Sequence, residues 1–278
     1  MWKGVSEPQP FEQIEILPCA RRFLTDHATT FIKVMEIDPV DEYVGATWAA
    51  EHKVRALAPL APPIASDGLW LLAYPYEDLV PMGLSLTEQR AAAEVMRKVW
   101  STPPPAGAIE KGLDAYRVTA ASHLDAIEAR GTDVSLWREA QAKFLTWAET
   151  TIEARSPRRA WVHGDAHHRN FSVRGDGTLL LVDWERHHVA PREQDAAKFV
   201  QSALAEAGPE SAVPGTYLDG VTGAGVDLDL VNVLVPLRML NARIYQEFNL
   251  PGDPAYAPWR EAMDHVIDEA LAGRLPLD

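Results

Sequence analysis

The chain has 278 residues, of which 47% are hydrophobic, and its 26 basic and 40 acidic side chains give a net charge of −14. This apolar content is enough for a packed core and excludes wholesale disorder. The acidic balance repels nucleic-acid phosphates and anionic lipid, so it argues against nucleic-acid and membrane-surface partners and favours cationic small molecules. The single cysteine, Cys19, can form no intrachain disulfide, the first residues do not resemble a signal peptide, and no apolar run approaches the length of about 20 residues that spans a bilayer. We therefore expect a cytoplasmic protein.

The first part of the chain predicts a small sheet with one helix. β-favouring residues between positions 11 and 38 predict two or three antiparallel strands. Apolar spacing from Asp41 to Leu57 predicts a helix of about four turns, which the following prolines end. After a turn at Asp67-Gly68, residues 69–76 predict an apolar strand. We assign residues 1–77 to an N-terminal, β-rich, nucleotide-binding lobe.

The remaining residues, 78–278, predict a larger and mainly helical lobe. Ser85 and Glu88 form a capping-box signature ahead of a helix that runs to Trp100. Hydrophobic periodicity predicts further helices over residues 109–129, 135–153, 195–206, 228–249 and 256–272. Short strands interrupt them at residues 160–162, 171–173 and 178–182. The predicted fold class is α+β, with a small β-rich lobe followed by a larger helical lobe.

The most informative stretch is a predicted hairpin with polar residues at its base. Asp176-Gly177 is a preferred two-residue hairpin turn, and counting back from it places Asn170 directly opposite Asp183. Opposed residues have Cβ atoms about 5 Å apart, so this amide oxygen and carboxylate can share a small hard cation, for which Mg²⁺ is best suited. Asp165 precedes Asn170 in a loop, where its carboxylate can orient and deprotonate an attacking hydroxyl. The layout predicts a phosphoryl-transfer site.

The motif His-Gly-Asp, followed by an asparagine and then by a strand-borne aspartate, resembles the aminoglycoside phosphotransferase family, relatives of choline kinases and protein kinases. The resemblance implies a bilobal protein-kinase-like fold. It implies that Asp165 is the catalytic base, that Asn170 and Asp183 bind Mg²⁺, and that Asp195 is a buried carboxylate bracing the catalytic loop. His163 is expected to brace the same loop by hydrogen bonding.

The same resemblance implies a lysine for the nucleotide phosphates in the small lobe. Lys33 is the natural candidate, because it is the lone cation in an apolar strand. Glu51 is its expected partner, since it falls on the apolar stripe of the following helix. Residues 71–76 resemble the hinge whose backbone holds the purine, which makes Tyr74 and Tyr76 candidate nucleotide-binding residues.

The acceptor pocket is the least defined part of the prediction. Glu185 and His187 lie close to the motif in sequence and are candidate acceptor-binding residues. Asp264 and Asp268 share a face of the last predicted helix. These two carboxylates could bind an amine-rich substrate, or they could simply form a solvated acidic face. Residues 11–34 contain no glycine, so the glycine-rich loop of protein kinases is absent or replaced. This departure argues against a protein substrate.

Together these features predict a small-molecule kinase that uses Mg²⁺ and transfers the γ-phosphoryl of ATP or GTP to a hydroxyl of an aminoglycoside or another cationic or sugar-containing antibiotic, thereby conferring resistance. A metabolic kinase acting on choline, homoserine, a ketosamine or a sugar would differ only in its pocket residues. The alternative from another class is a nucleotide-binding pseudokinase that regulates a partner. The missing glycine-rich loop supports that alternative, and the intact phosphoryl-transfer residues argue against it.

Overall fold

The structure, a computed structural model, describes residues 11–16, 20–25, 30–208 and 214–277, so Cys19 lies outside the described part. Within these residues the strands are β1 (Phe11–Ile16), β2 (Ala20–Thr25), β3 (Thr30–Met35), β4 (Ile64–Ser66), β5 (Leu69–Pro75), β6 (Leu79–Pro81), β7 (Arg159–Val162), β8 (Phe171–Arg174), β9 (Leu179–Leu181) and β10 (His188–Pro191). The helices are α1 (Val40–Glu51), α2 (Leu86–Ser101), α3 (Asp114–Glu128), α4 (Ser135–Arg155), α5 (Glu193–Ala207), α6 (Gly215–Thr222), α7 (Leu228–Asn249) and α8 (Ala257–Leu271). The α+β class is confirmed.

The chain divides into two compact units. The first comprises the described residues up to Met82 together with Asn170–His187, and the second comprises Gly83–Arg169 and the described residues from His188 onward. Residues 170–187 belong to the first unit because β8, the first strand of their hairpin, pairs with β6. The sequence-based division at residue 77 placed this hairpin with the second part of the chain.

The main sheet of the first unit is antiparallel, in the strand order β1-β2-β3-β5-β4. β4 and β5 are joined by the turn at Asp67-Gly68, and both turn residues have positive φ, as a two-residue hairpin of this kind requires. β3 lies between β2 and β5, with Lys33 opposite Leu72. This register places Lys33 in the interior of the sheet, flanked by strands on both sides.

Helix α1 is shorter than predicted. It ends at Glu51, and Lys53 adopts a φ of +59°, a left-handed conformation that does not continue a helix. The buried residues of α1 other than Glu42 are small, which lets the helix pack closely against the turn at Trp184–Arg186. A Cβ on Gly45 would lie 3.0 Å from Trp184, so glycine permits this close approach.

The turn of the β8–β9 hairpin is one residue longer than predicted. The N–H of Arg174 donates to the carbonyl oxygen of Thr178, which leaves the three residues Gly175–Gly177 as the loop. Gly177 has a φ of +81°, the left-handed position that three-residue hairpin loops need. The preference of Asp176-Gly177 for two-residue turns was therefore misleading here.

The longer turn changes the pairing at the base of the hairpin. Asn170 lies opposite Val182, whose N–H donates to the carbonyl oxygen of Asn170 at 2.9 Å. The predicted pairing of Asn170 with Asp183 is therefore wrong. The additional loop residue shifts the register by one position, and residues that are one position apart along a strand point to opposite faces of the sheet.

The second unit is built around α7. This helix packs against α3, α4, α5 and α8, while β7 pairs with β10 in a short antiparallel ladder. The capping box of Ser85 and Glu88 is confirmed at the start of α2. Among the helices that the structure describes, none is long and apolar enough to cross a membrane.

Candidate active site

Lys33 is held in a buried ion cluster of the first unit. Its ammonium lies 2.7 Å from a carboxylate oxygen of Glu42 and 2.8 Å from one of Asp183, and only 4% of the residue is exposed. Burial acts to lower the pKa of Lys33, but the charges of Asp183 and Glu42 outweigh it and raise the pKa above its ordinary value. Lys33 is therefore a fixed cation between two carboxylates.

The partner of Lys33 on α1 is Glu42, so the predicted pair of Lys33 with Glu51 is wrong. Glu42 is 2% exposed and accepts a hydrogen bond from the Tyr74 hydroxyl at 2.5 Å. Burial raises the pKa of Glu42, although Lys33 opposes this effect. Glu51 is exposed at the end of α1, nine residues and about 14 Å further along the helix. The prediction followed the large apolar residues of α1, whereas small residues and Glu42 form its buried face.

Asp183 reaches Lys33 through its backbone conformation. Its φ is +70°, a left-handed value that is strained for a residue with a side chain. The chain leaves β9 at this point and enters the turn at Trp184–Arg186. This turn, and not cross-strand pairing with Asn170, brings the Asp183 carboxylate to the lysine. Asn170 is itself buried at the base of the hairpin.

Three carboxylates beside Lys33 form a group that can hold a metal ion. Glu42, Asp183 and Glu185 each offer one oxygen, and these oxygens lie within 4.8 Å of one another. Such a set of hard oxygen donors fits Mg²⁺. Glu42 already binds Lys33 and Tyr74, whereas the side chains of Asp183 and Glu185 are 30% and 36% exposed and can meet a cation from solvent. Glu185, predicted as an acceptor-binding residue, thus lies 4.0 Å from the Lys33 ammonium.

In the second unit, the loop of residues 163–169 carries Asp165, and Asp195 holds the start of this loop. One oxygen of the Asp195 carboxylate accepts the N–H of His163, the other accepts the N–H of Gly164, and each distance is 2.9 Å. Asp195 also accepts the indole N–H of Trp100 at 3.1 Å and is fully buried. These are the contacts expected of a carboxylate that braces the loop.

The remaining predicted brace, His163, is also fully buried. Its ring Nδ1 accepts the N–H of Asp165 at 3.3 Å, so two groups determine the backbone around the aspartate. The Asp165 side chain is 20% exposed, and Asp165 is the one acidic residue among residues 163–169. A carboxylate in this setting can meet a hydroxyl group from solvent and accept its proton.

One face of α5 contacts the loop along its length. Four residues on this face recur at helical spacing: Asp195, Lys198, Ser202 and Glu206. Lys198 lies 3.1 Å from the Asp165 carboxylate, the Ser202 hydroxyl accepts the N–H of His168, and Glu206 pairs with Arg169 at 2.7 Å. Of these four residues only Asp195 was predicted, although the helical spacing of the other three polar residues was a usable signal.

Two histidines of the loop are neutral near pH 7. Burial is the main cause that lowers the pKa of His167 to about 4, against the opposing charge of Asp165. Burial likewise lowers the pKa of His168 to about 4. His168 also lies against Ser202, with its ring Nδ1 at 3.1 Å from the hydroxyl.

The other predicted residues lie in different surroundings. Tyr74 lies within β5 and directs its hydroxyl to Glu42, while Tyr76 follows β5 and is exposed. The His187 ring lies 3.1 Å from the Asp41 carbonyl oxygen. Asp264 on α8 pairs with Arg243 at 3.1 Å, and burial raises its pKa; Asp268, one turn later, is exposed.

The family comparison agrees with this chemistry. A model described as the phosphotransferase enzyme family matches residues 41–222, which is most of the chain. The chain belongs to this family, as the motif around Asp165 implied, and is a phosphotransferase acting on a hydroxyl acceptor. No curated protein matches the sequence.

Solved structures of small-molecule kinases share the fold. Choline kinase LicA from Streptococcus pneumoniae has a TM-score of 0.69 at 12% identity, covering 95% of this chain and 93% of its own. The GDP and kanamycin complex of APH(2")-IIia has a TM-score of 0.67 at 15% identity, covering 95% and 94%. The ADP and spectinomycin complex of APH(9)-Ia has a TM-score of 0.60 at 14% identity, covering 92% and 87%. The protein-kinase-like fold class is thus confirmed.

Proposed function

We propose that this protein transfers the γ-phosphoryl group of ATP or GTP to a hydroxyl of an antibiotic-type small molecule, with Mg²⁺ as the cofactor. The observation that carries the proposal is the ion cluster in which buried Lys33 lies between Glu42 and Asp183, with Glu185 beside them. One ammonium among three carboxylates leaves the cluster short of positive charge, so a polyanion such as a nucleoside triphosphate would bind here together with a metal ion that these carboxylates can hold.

The residues of the first unit handle the phosphoryl donor in this proposal. Glu42 orients the Lys33 ammonium, which binds the donor phosphates, and Tyr74 holds Glu42 in place. Asp183 and Glu185 would hold Mg²⁺, whose charge would neutralise the phosphate oxygens. Asn170 is added to these ligands by the family motif alone, because the observed register does not pair it with Asp183. Fixed charges of this kind lower the barrier because they need no reorganisation when the phosphoryl group moves.

Asp165 handles the acceptor. Phosphoryl transfer requires an in-line hydroxyl and offers little covalent work to the protein, so orienting the hydroxyl and receiving its proton are the main tasks of a base. Asp195 and the His163 ring hold the backbone N–H groups of His163, Gly164 and Asp165 itself and so limit the directions in which the Asp165 carboxylate can point.

Two acceptor classes are compatible with the charges. The net charge of −14 favours a cationic acceptor, and kanamycin and spectinomycin are bound by two structural neighbours. A choline-type metabolic acceptor is the second candidate. It is favoured by an aromatic ring beside the loop, Trp259, which a quaternary ammonium group could contact by displacing the Arg169 guanidinium that stacks on it at 4.3 Å. We propose a cytoplasmic location on the basis of the single cysteine.

The experiment that tests this proposal compares wild type with Asp165→Ala and Asp165→Asn. Phosphate transfer from ATP and from GTP is measured to kanamycin, spectinomycin and choline, and nucleotide binding is measured separately by calorimetry. We expect turnover to fall by about 10²–10⁴-fold in both variants while nucleotide affinity is retained. Full turnover in either variant would contradict the role of Asp165. Failure of every acceptor, with nucleotide still bound, would exclude these three molecules as substrates.

A further inference from the structure

We propose that Lys198 is a positioning residue for Asp165, which holds the carboxylate in place and keeps it in the ionised form that accepts a proton. The inference rests on the proposed phosphoryl-transfer function, and it assigns a task to a residue outside the family motif. Lys198 lies on α5 and its ammonium is 3.1 Å from Oδ1 of Asp165. The two side chains are 21% and 20% exposed, so solvent only partly screens their attraction.

The position of Lys198 relative to the loop is fixed by its own helix. Asp195 lies one turn before Lys198 on α5 and binds the backbone N–H groups of His163 and Gly164. The same stretch of helix therefore holds both the start of the loop and the side chain of Asp165. A shift of α5 would move the two contacts together, which keeps the lysine aligned with the carboxylate.

The other basic groups of the loop do not supply this charge. The His167 Nε2 atom is 3.9 Å from Asp165 Oδ2, too far for a hydrogen bond, and burial keeps that ring neutral near pH 7. His163 offers its Nδ1 as an acceptor to the N–H of Asp165. His168 is neutral for the same reason as His167, and Arg169 is engaged by Glu206. Lys198 is thus a charged group that pairs directly with the Asp165 carboxylate.

This arrangement has a direct chemical consequence. An aspartate accepts the proton of a hydroxyl only while it is ionised, and a cation within about 4–6 Å favours the ionised form. Binding of one carboxylate oxygen by Lys198 also restricts rotation of the side chain, which favours a single direction of proton transfer. Loss of the cation would therefore reduce the ionised fraction of the carboxyl group at a pH close to its pKa, and it would reduce the alignment of the base at every pH.

The first test measures the titration of the Asp165 carboxyl group and needs no turnover. The Asp165 carboxyl resonance is followed by ¹³C NMR between pH 2 and 8 in protein with labelled aspartate, and it is assigned by its disappearance in Asp165→Asn. We expect the titration midpoint to move up by about one pH unit in Lys198→Met and to return close to the wild-type value in Lys198→Arg. Equal midpoints in wild type and Lys198→Met would overturn the inference. Lys198→Gln provides a second neutral variant should the methionine protein fail to fold.

The second test measures how the rate of nucleotide hydrolysis depends on pH. Hydrolysis of ATP and GTP with Mg²⁺, with water as the acceptor, is measured against pH. In Lys198→Met we expect kcat to fall by about tenfold even at pH 7, because the ionised base loses its alignment. We also expect the acidic limb of the profile to move up by about one pH unit and KM for the nucleotide to stay the same. Lys143→Met is the matched control, because Lys143 lies over the Trp147 ring on α4 and should leave the profile unchanged. If Asp165→Ala abolishes hydrolysis but Lys198→Met leaves the pH profile unchanged, the inference about Lys198 is wrong and the proposed function stands. If the wild-type protein binds neither ATP nor GTP, the proposed function is wrong.

Discussion

Replacing Asp195 by asparagine tests the idea that one buried carboxylate determines the conformation of the loop of residues 163–169. The carboxylate accepts three hydrogen bonds, from Trp100, His163 and Gly164, at 2.9–3.1 Å. An asparagine has the same shape but only one acceptor oxygen. In Asp195→Asn at least one backbone N–H of the loop therefore faces an NH₂ group and has no acceptor.

The magnitude follows from the burial of Asp195, which is fully inaccessible. A hydrogen bond to a charged group contributes about 1.5–3 kcal/mol, and a buried N–H without an acceptor costs about 1–3 kcal/mol. Relief from burying a charge offsets part of this loss. We expect Asp195→Asn to lower the free energy of unfolding by about 3 kcal/mol and to reduce turnover, because Gly164 directly precedes Asp165.

Trp100→Phe is the matched control. It removes one donor to Asp195 but keeps both loop N–H groups bound, so it should cost about 1–2 kcal/mol and affect turnover far less than Asp195→Asn. Urea unfolding gives the stabilities, and kcat is measured on folded protein below the transition. Equal losses of stability and turnover in the two variants would refute the reasoning, because the loop would then not depend on the carboxylate itself.

Two further predictions concern the ion cluster and the response to acid. Glu42→Gln should weaken nucleotide binding by tenfold or more, measured by calorimetry, because Lys33 loses one of its two charged partners. Glu51→Gln, at an exposed position, should leave binding unchanged, and equal effects of the two changes would contradict the role of Glu42. The pKa of His168 is lowered to about 4 in the folded protein and is about 6.5 in the unfolded chain. Between these two pH values the unfolded chain binds a proton that the folded protein does not bind. The free energy of unfolding therefore falls as the pH drops through this range. At pH 5 this histidine should remove about 2 kcal/mol relative to pH 7.5, and urea unfolding of His168→Gln should show a smaller acid-induced loss; the same loss as in wild type would contradict the assignment.

Long periodic elements could be predicted from the sequence. Helix α7 was expected at residues 228–249 and begins and ends at those positions, since a long apolar pattern follows a capping aspartate, Asp227. Short elements could be predicted only in part: the strands β7, β8 and β9 were expected near their observed positions, whereas β4, β6, β10 and the eight-residue helix α6 were not. A segment of three or four residues has too few positions to show a period, so it is recognised only where its flanking residues add a signal, as the turn between β8 and β9 does.

The candidate site shows the same contrast. The motif around Asp165 pointed to the loop and to Asp195, because the spacing of these residues is specific. The partner of Lys33 could not be predicted, because a buried glutamate among small residues carries no apolar stripe. The pairing of Asn170 depended on a turn length that Asp176-Gly177 did not determine, and Lys198 contacts Asp165 across a separation of thirty-three residues.

We propose above that Lys33 and Asp183 form a site for a nucleotide with its metal ion. The most direct test is a thermal melt with ATP and with GTP, each with and without Mg²⁺, on wild type and on Asp183→Ala. A ligand at 100 times its Kd stabilises the folded state by about 2.7 kcal/mol, which corresponds to a rise in Tm of about 5 °C for a chain of this size. We expect a Mg²⁺-dependent rise in wild type that is lost in Asp183→Ala. No rise with either nucleotide, or the same rise in the variant, would contradict it.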